Sequence, residues 1–157
     1  MKRFALPWAL FCLVAVSATV NGQSTTTVDL TTTLIDVNTD SGIGVHSTTT
    51  VPGGLVAVEY KVNNLGSPAS SAGNIGLFIS KESSFSPSAT FIVYADLFDA
   101  VPATGSTQPV NSNITVPVAT NPGTYYIIVV ANYDHKVPET NYNNNPSNAL
   151  AITVKNP

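Results

Sequence analysis

The feature that most constrains this fold is the alternation of short β-branched runs with turn-forming clusters. After residue 23, runs rich in Val, Ile, Thr and Tyr are separated by groups of Gly, Pro, Asn and Ser. No stretch in this part of the chain has the 3.6-residue periodicity and the capping residues of a helix. Because β-branched side chains favour strands, this spacing is typical of an all-β sandwich or barrel.

The pattern predicts seven strands, and therefore an all-β, immunoglobulin-like, seven-stranded antiparallel β-sandwich. The predicted strands cover residues 26–37, 55–63, 75–80, 90–97, 107–116, 124–131 and 148–155. In the second strand, Glu59 and Lys61 prefer water, so the alternate residues should face the core. These predicted core residues are Val56, Val58, Tyr60 and Val62.

Residues 1–22 have the three-part pattern of a secretory signal peptide. Lys2 and Arg3 precede the apolar stretch 4–16, and cleavage is expected after Ala18 or after Gly22. About a dozen apolar residues are too few to span the roughly 30 Å of a bilayer core, so we expect no membrane insertion after cleavage. We therefore predict a secreted protein, extracellular or at the cell surface, with one domain at 23–157.

Charge excludes two classes of partner. Without residues 1–22, four lysines remain against all nine acidic residues. Nucleic-acid binding needs a basic surface that displaces counterions from phosphates, and this chain has none. A polybasic lipid-binding surface is excluded for the same reason. The only cysteine, Cys12, lies in the predicted signal peptide, so stability must come from packing rather than disulfides.

The segment 123–127, Gly-Thr-Tyr-Tyr-Ile, predicts a tyrosine corner at the start of the sixth predicted strand. In this arrangement the Tyr125 phenol bonds a nearby backbone group and its ring packs inward. Tyr126, Ile128 and Val130 should then face outward. Three large outward apolar residues are unusual on a solvated sheet, so neighbouring strands or another molecule should cover them. We treat them as candidate interaction residues.

The chain from residue 28 onward resembles the CARDB family, the cell-adhesion-related domains found in bacteria. Four pieces in order carry the resemblance: Val28-Asp29-Leu30; Pro52-Gly53-Gly54-Leu55 through Val62-Asn63-Asn64-Leu65-Gly66; Leu77-Phe78-Ile79-Ser80-Lys81; and Pro122-Gly123-Thr124-Tyr125-Tyr126 followed by Asn132, Val137, Glu139 and Asn144-Asn145. The resemblance implies an immunoglobulin-like sandwich with an extracellular interaction role and without catalytic activity. Asn132 and Tyr142 stand where the family usually has Asp and often has Glu, which weakens any cation site in this loop.

The loop 132–145 holds the best candidate metal ligands, and calcium is the cation that their oxygen atoms would suit. These candidates are Asp134, Glu139, Asn144 and Asn145. The alternative is that the two asparagines bond loop backbone groups while Glu139 tethers the loop. Apart from this calcium hypothesis we expect no cofactor.

No arrangement in the sequence predicts catalysis, so we expect a non-enzymatic protein. Its two histidines, His46 and His135, fall in or near loops, and no Gly-x-Ser-x-Gly motif is present. The favoured function is an adhesion or interaction module that binds other surface proteins or itself. We keep two alternatives: a polysaccharide-binding module that uses Tyr126 and the loop tyrosines Tyr133 and Tyr142, and a calcium-stabilised structural module.

Overall fold

The computed structural model describes residues 27–39, 47–87 and 90–157, with backbone alone at 90–93. The predicted signal peptide therefore lies outside the described residues. Eight strands are present in this part of the chain. They are β1 (Leu30–Asn38), β2 (Thr49–Thr50), β3 (Leu55–Asn64), β4 (Gly73–Ser80), β5 (Thr90–Phe98), β6 (Val110–Thr115), β7 (Gly123–Ala131) and β8 (Leu150–Val154).

The strands form two sheets, as the alternating sequence predicts. One sheet has the order β1-β3-β6 and the other β2-β8-β7-β4-β5. All neighbours are antiparallel except β2, which pairs parallel to β8 through two residues. The predicted all-β sandwich is confirmed, and the seven longer strands match the seven predicted segments. The eighth strand, β2, is too short to have a recognisable sequence pattern.

The main core lies between the two sheets. Val56, Val58, Tyr60 and Val62 of β3 are all buried there, which confirms the predicted inward face. Ile127 and Val129 of β7 meet them from the opposite sheet, and Tyr125 packs partly buried at the margin. The two-residue period of the strand is therefore sufficient to identify both inner faces.

The tyrosine corner is present. The Tyr125 hydroxyl donates a hydrogen bond of 2.9 Å to the backbone carbonyl of Asn121, four residues upstream. The Lys81 ammonium lies 3.6 Å from the centre of the same ring, on its face. Gly123 has a φ of 149° and faces Lys81 Nζ, which an added Cβ would approach to 2.8 Å. A glycine therefore leaves room for the lysine above the tyrosine.

The free edge of β1 is closed by side chains. Leu34 N–H donates to Asn148 Oδ1 at 3.1 Å, and Asn148 Nδ2 donates back to Leu34 O at 3.2 Å. Leu30 N–H donates to Glu139 Oε2 at 2.7 Å. These bonds satisfy backbone groups that would otherwise be available to another strand. Within the described chain, Leu30–Val37 pairs with β3 of the same molecule.

The outer face of the five-stranded sheet carries a second apolar cluster. This outer cluster consists of Phe78, Ile128 and Val130, with Phe85, Tyr133 and Ala149 packed against them. Ile128 is fully buried and Val130 is only 4% exposed. The sequence interpretation of Ile128 as a surface contact for a partner therefore needs correction, because the chain's own side chains cover it completely.

Candidate functional site

An open groove runs over the outer cluster. Its volume is about 530 Å³, which falls within the range of small-ligand sites. Most of its surface comes from aromatic rings and prolines, and none of its side chains carries a carboxylate, an ammonium or a guanidinium group. The lining residues of this aromatic groove are Phe78, Phe85, Pro87, Val130, Tyr133, His135, Tyr142, Asn143 and Pro146.

The floor of the groove depends on a glycine in β4. A Cβ added at Gly76 would come within 2.6 Å of the Phe78 ring and 3.1 Å of Tyr133 Cδ1. Because glycine has no side chain, the Phe78 and Tyr133 rings can lie on the sheet face next to residue 76. Phe78 also contacts Phe85 edge-to-face at 4.9 Å and Tyr133 at 6.2 Å between ring centres. Such edge-to-face geometry is favourable for aromatic quadrupoles.

The wall of the groove is formed by the loop that follows β7. Asn132 and His135 have positive φ angles of 48° and 55°, which fold the chain back over the sheet. Asn enters the left-handed region more readily than most residues, and His is also enriched there. The His135 ring then lies 4.3 Å from the Tyr142 ring, at an interplanar angle of 37°. The two rings form one continuous rim.

Glu139 fixes the same loop to the sandwich from inside. Its Oε1 accepts hydrogen bonds of 2.6 Å from both Asn132 Nδ2 and Asn145 Nδ2. Its Oε2 accepts the β1 hydrogen bond from Leu30 described above. Asn132 also bonds Val137 twice, through the Val137 N–H and carbonyl. Three N–H donors thus converge on one carboxylate, an arrangement stronger than neutral hydrogen bonding.

The next two asparagines tie the loop to the start of the chain. Asn145 is buried, and its side-chain amide donates to Ala131 O at 3.0 Å. The backbone carbonyl of Asn145 accepts a hydrogen bond from the Thr32 hydroxyl. Asn144 Nδ2 donates to Asp29 Oδ1 at 2.8 Å. Glu139 therefore tethers the loop, as the alternative interpretation predicts, but the two asparagine amides bond Ala131 O and the Asp29 and Glu139 carboxylates rather than backbone groups of the loop. The side-chain oxygens Asn144 Oδ1 and Asn145 Oδ1 are buried without a hydrogen-bond partner.

Asp134 lies apart from this network, on the outside of the loop. It forms an ion pair of 2.8 Å with Lys136 and a short hydrogen bond with the Asn74 amide. Burial by itself would raise the pKa of Asp134, but the Lys136 and Asn74 contacts hold the pKa below its ordinary value. Its Oδ1 is buried without a partner.

The four calcium candidates therefore do not form one cage. Both Glu139 oxygens accept N–H donors, and Asp134 is engaged with Asn74 and Lys136. Across the part of the chain that the structure describes, no three His, Cys, Asp or Glu side chains are placed to hold a metal ion. Asn132 contributes to this arrangement because its side-chain amide donates to Glu139. An aspartate at position 132 would instead repel the Glu139 carboxylate.

The other predicted residues divide between the groove and the rest of the sheet. Tyr133 and Tyr142 line the groove together. Tyr126 is half-buried on β7 and is not among the lining residues. His46 lies outside the described residues. Sequence reasoning did not identify the other six lining residues: Phe78, Phe85, Pro87, His135, Asn143 and Pro146. The outward position of Phe78 in β4 was the one available signal.

The comparison with family models matches residues 42–149 to CARDB. This chain belongs to the CARDB family. The matched range includes β2 to β7 and leaves out β1 and β8, so the Val28-Asp29-Leu30 resemblance lies outside it. CARDB is a non-catalytic domain family, and its name connects the chain with adhesion. The comparison with curated proteins found no match.

Solved structures show the same fold at low sequence identity. The CARDB domain of the PF1109 protein from Pyrococcus furiosus, solved in complex with di-metal ions, is 18% identical with a TM-score of 0.54, and the alignment covers 82% of this chain and 94% of that one. β-Glucosidase 3B from Thermotoga neapolitana, in complex with α-D-glucose, is 13% identical with a TM-score of 0.51. That alignment covers 80% of this chain but only 16% of the enzyme.

β-Glucosidase from Kluyveromyces marxianus, in complex with glucose, is 12% identical with a TM-score of 0.51, over 82% of this chain and 14% of the enzyme. These likenesses concern the sandwich fold alone. Among the described residues, no helix is long and apolar enough to cross a membrane.

Proposed function

We propose that this protein is a secreted, non-catalytic adhesion module that holds its partner in the aromatic groove. The observation that carries the proposal is the groove itself, an open surface of rings kept in place by Gly76, Phe85 and the loop after β7. Apolar area with a few polar groups is the usual composition of a preformed recognition site. Membership of an adhesion-related family supports the same function.

The chemistry of the groove supports binding rather than turnover. Its lining holds one imidazole and no carboxylate or cysteine, so it lacks the paired carboxylates of glycosidases and the thiol of cysteine nucleophiles. Export is supported by the signal-like sequence at 1–22 and by the low density of charge. We expect the partner to be a component of the cell surface or of the extracellular matrix.

Retention on the producing cells tests this proposal. The full chain is expressed with its own leader, and the cultures are separated into cell-bound and medium fractions. We expect wild-type protein in the cell-bound fraction and a His135→Asn/Asn143→Ala double variant in the medium. Asparagine tolerates the positive φ at position 135, so this change removes the imidazole without straining the backbone.

Two exposed residues away from the groove provide matched controls. Asn111→Ala and Asn113→Ala both lie on β6 in the other sheet, and neither residue lines the groove. Both control variants should remain cell-bound. Equal release of the wild type and the double variant into the medium would refute the adhesion proposal.

Self-association is a second form of the same interaction role. The observation that favours it is β5, an edge strand that pairs only with β4 in the described chain and exposes Tyr94 and Leu97 at 41% and 71%. Unprotected edges of this kind pair with other strands. Light scattering of the purified protein should show association at high concentration. A Leu97→Lys variant should remain monomeric, and a monomeric wild type would remove this proposal.

The second candidate function is a calcium-stabilised structural module. It is supported by two buried oxygens without a hydrogen-bond partner, Asn144 Oδ1 and Asn145 Oδ1, whose own amide groups donate to the Asp29 and Glu139 carboxylates. The Pyrococcus domain with di-metal ions adds to this support. A cation that binds only the native state would raise the melting temperature by mass action. Identical melting curves in millimolar calcium and in chelator would exclude this function.

A further inference from the structure

We propose that the aromatic groove takes a neutral polysaccharide chain; this inference rests on the adhesion function proposed above and names the ligand of the same site. The first argument is charge. No lining side chain carries a carboxylate, an ammonium or a guanidinium group. The nearest charges on the loop, Asp134 and Lys136, neutralise each other at 2.8 Å. A charged ligand would lose hydration without gaining a counterion.

The second argument is the pairing of ring faces with polar groups. A sugar ring presents aliphatic C–H groups on its faces and hydroxyl groups around its edge. Phe85, Tyr133, His135 and Tyr142 supply ring surface for the faces. The His135 imidazole and the Asn143 carboxamide make no side-chain hydrogen bond within the described chain, and both lie exposed at the rim. Each can donate and accept, as hydroxyl groups require.

The third argument separates a saccharide from a peptide. An extended peptide binds a sheet by adding a strand to its edge. The groove instead lies on a sheet face, where β4 and β7 already pair with each other beneath Phe78 and Val130. A proline-rich segment fits aromatic grooves but offers carbonyl acceptors without N–H donors. It could only accept from the Asn143 carboxamide, whereas sugar hydroxyls can both accept from that group and donate to it.

Binding to defined polymers tests the inference. The probes are four neutral polysaccharides (dextran, laminarin, mannan and a cello-oligosaccharide), with polygalacturonate as an acidic polymer and decaproline as a peptide. We expect saturable binding to at least one neutral polymer by calorimetry or by ligand-observed NMR. The His135→Asn/Asn143→Ala variant should bind at least about tenfold more weakly, which equals the loss of one or two hydrogen bonds. Asn111→Ala and Asn113→Ala should bind like the wild type.

The outcomes distinguish this inference from the adhesion proposal. Groove-dependent retention on cells that the bound neutral polymer competes away would support both. Groove-dependent retention that only decaproline or polygalacturonate competes away, or that no neutral polymer affects, would overturn the saccharide inference and leave the adhesion function standing. Absence of retention together with neutral-polymer binding would refute adhesion alone. Circular dichroism of each variant confirms that a loss of binding does not reflect unfolding.

Discussion

The two faces of the five-stranded sheet are both apolar, but they are covered in different ways. On the inner face, Ile127 and Val129 meet the regular strands of the opposite sheet. On the outer face, Ile128 and Val130 meet Phe85 and Tyr133, which come from loops. Regular strands close a surface completely, whereas loop side chains leave gaps between them. The difference explains why the same strand contributes to a sealed core on one side and to an open groove on the other.

The largest expected difference is between two adjacent valines. Val129→Ala should lower the free energy of unfolding by about 2–3 kcal/mol, because it leaves a cavity in a closed core. Val130→Ala should cost only about 1 kcal/mol, because its neighbours border an open groove and can relax. Denaturant unfolding of both variants measures the difference. Equal losses would show that the outer face is packed as tightly as the inner one.

Glu139 tests how firmly the loop over the outer face is held. Glu139→Gln replaces one acceptor oxygen with an NH₂ group that must face N–H donors from Leu30, or from Asn132 and Asn145. We expect a loss of about 2 kcal/mol in the free energy of unfolding. Glu82→Gln, at an exposed turn, is the matched control and should change little. A neutral Glu139→Gln variant would mean that the loop is held by packing alone.

Tyr125 tests the margin of the inner face. Tyr125→Phe removes the hydrogen bond to Asn121 O and keeps the ring over which Lys81 lies. A single hydrogen bond of this kind contributes about 1 kcal/mol to unfolding free energy. Tyr94→Phe, whose ring is exposed on β5, serves as the control. If the two changes were equal, the corner would add nothing beyond ring packing.

The smallest effect concerns Asp134, beside the groove. Its folded pKa lies below the ordinary value of 3.8, so the contribution to stability is present above that pH and is lost as pH falls through the folded pKa. Since Lys136 is mostly exposed, solvent screening should make the loss of stability small. Unfolding measured from pH 6 to pH 2 should show a smaller acid-side decline for Asp134→Asn than for wild type. Parallel curves would contradict the assigned shift.

The inner half of the molecule could be predicted from the sequence. In β3, alternation with Glu59 and Lys61 identified the buried residues, because a strand with one solvated face has a two-residue period. The tyrosine corner was also predictable, since a short local segment specifies it. The family resemblance located the loop after β7 and its Glu and Asn residues, which hold the wall of the groove in place.

The outer half could not be predicted in the same way. Outward residues Ile128 and Val130 gave the signal of a covered surface, but nothing local showed that Phe85 and Tyr133 provide the cover. Those contacts join segments far apart in sequence. Tyr133 and Tyr142 were recognised as candidates because they share one loop, whereas Gly76 acquires its importance only from the rings beside it. The shape of the groove depends on contacts between residues far apart in sequence. The two-residue periodicity of the strands gives no information about those contacts.

The pair of hydrogen bonds between Asn148 and Leu34 has a consequence for aggregation at high protein concentration. The Asn148 carboxamide forms with Leu34 the two hydrogen bonds that the backbone of a neighbouring strand would form. A strand from another molecule would therefore have to displace this side chain before it could pair with β1. Fibre growth by sheet extension needs two available edge strands on every subunit, so that each subunit can pair with one neighbour on either side. With β1 obstructed, continued growth would need β6 or β2 as the second edge, because contact through β5 alone would be two-fold symmetric and would stop at pairs.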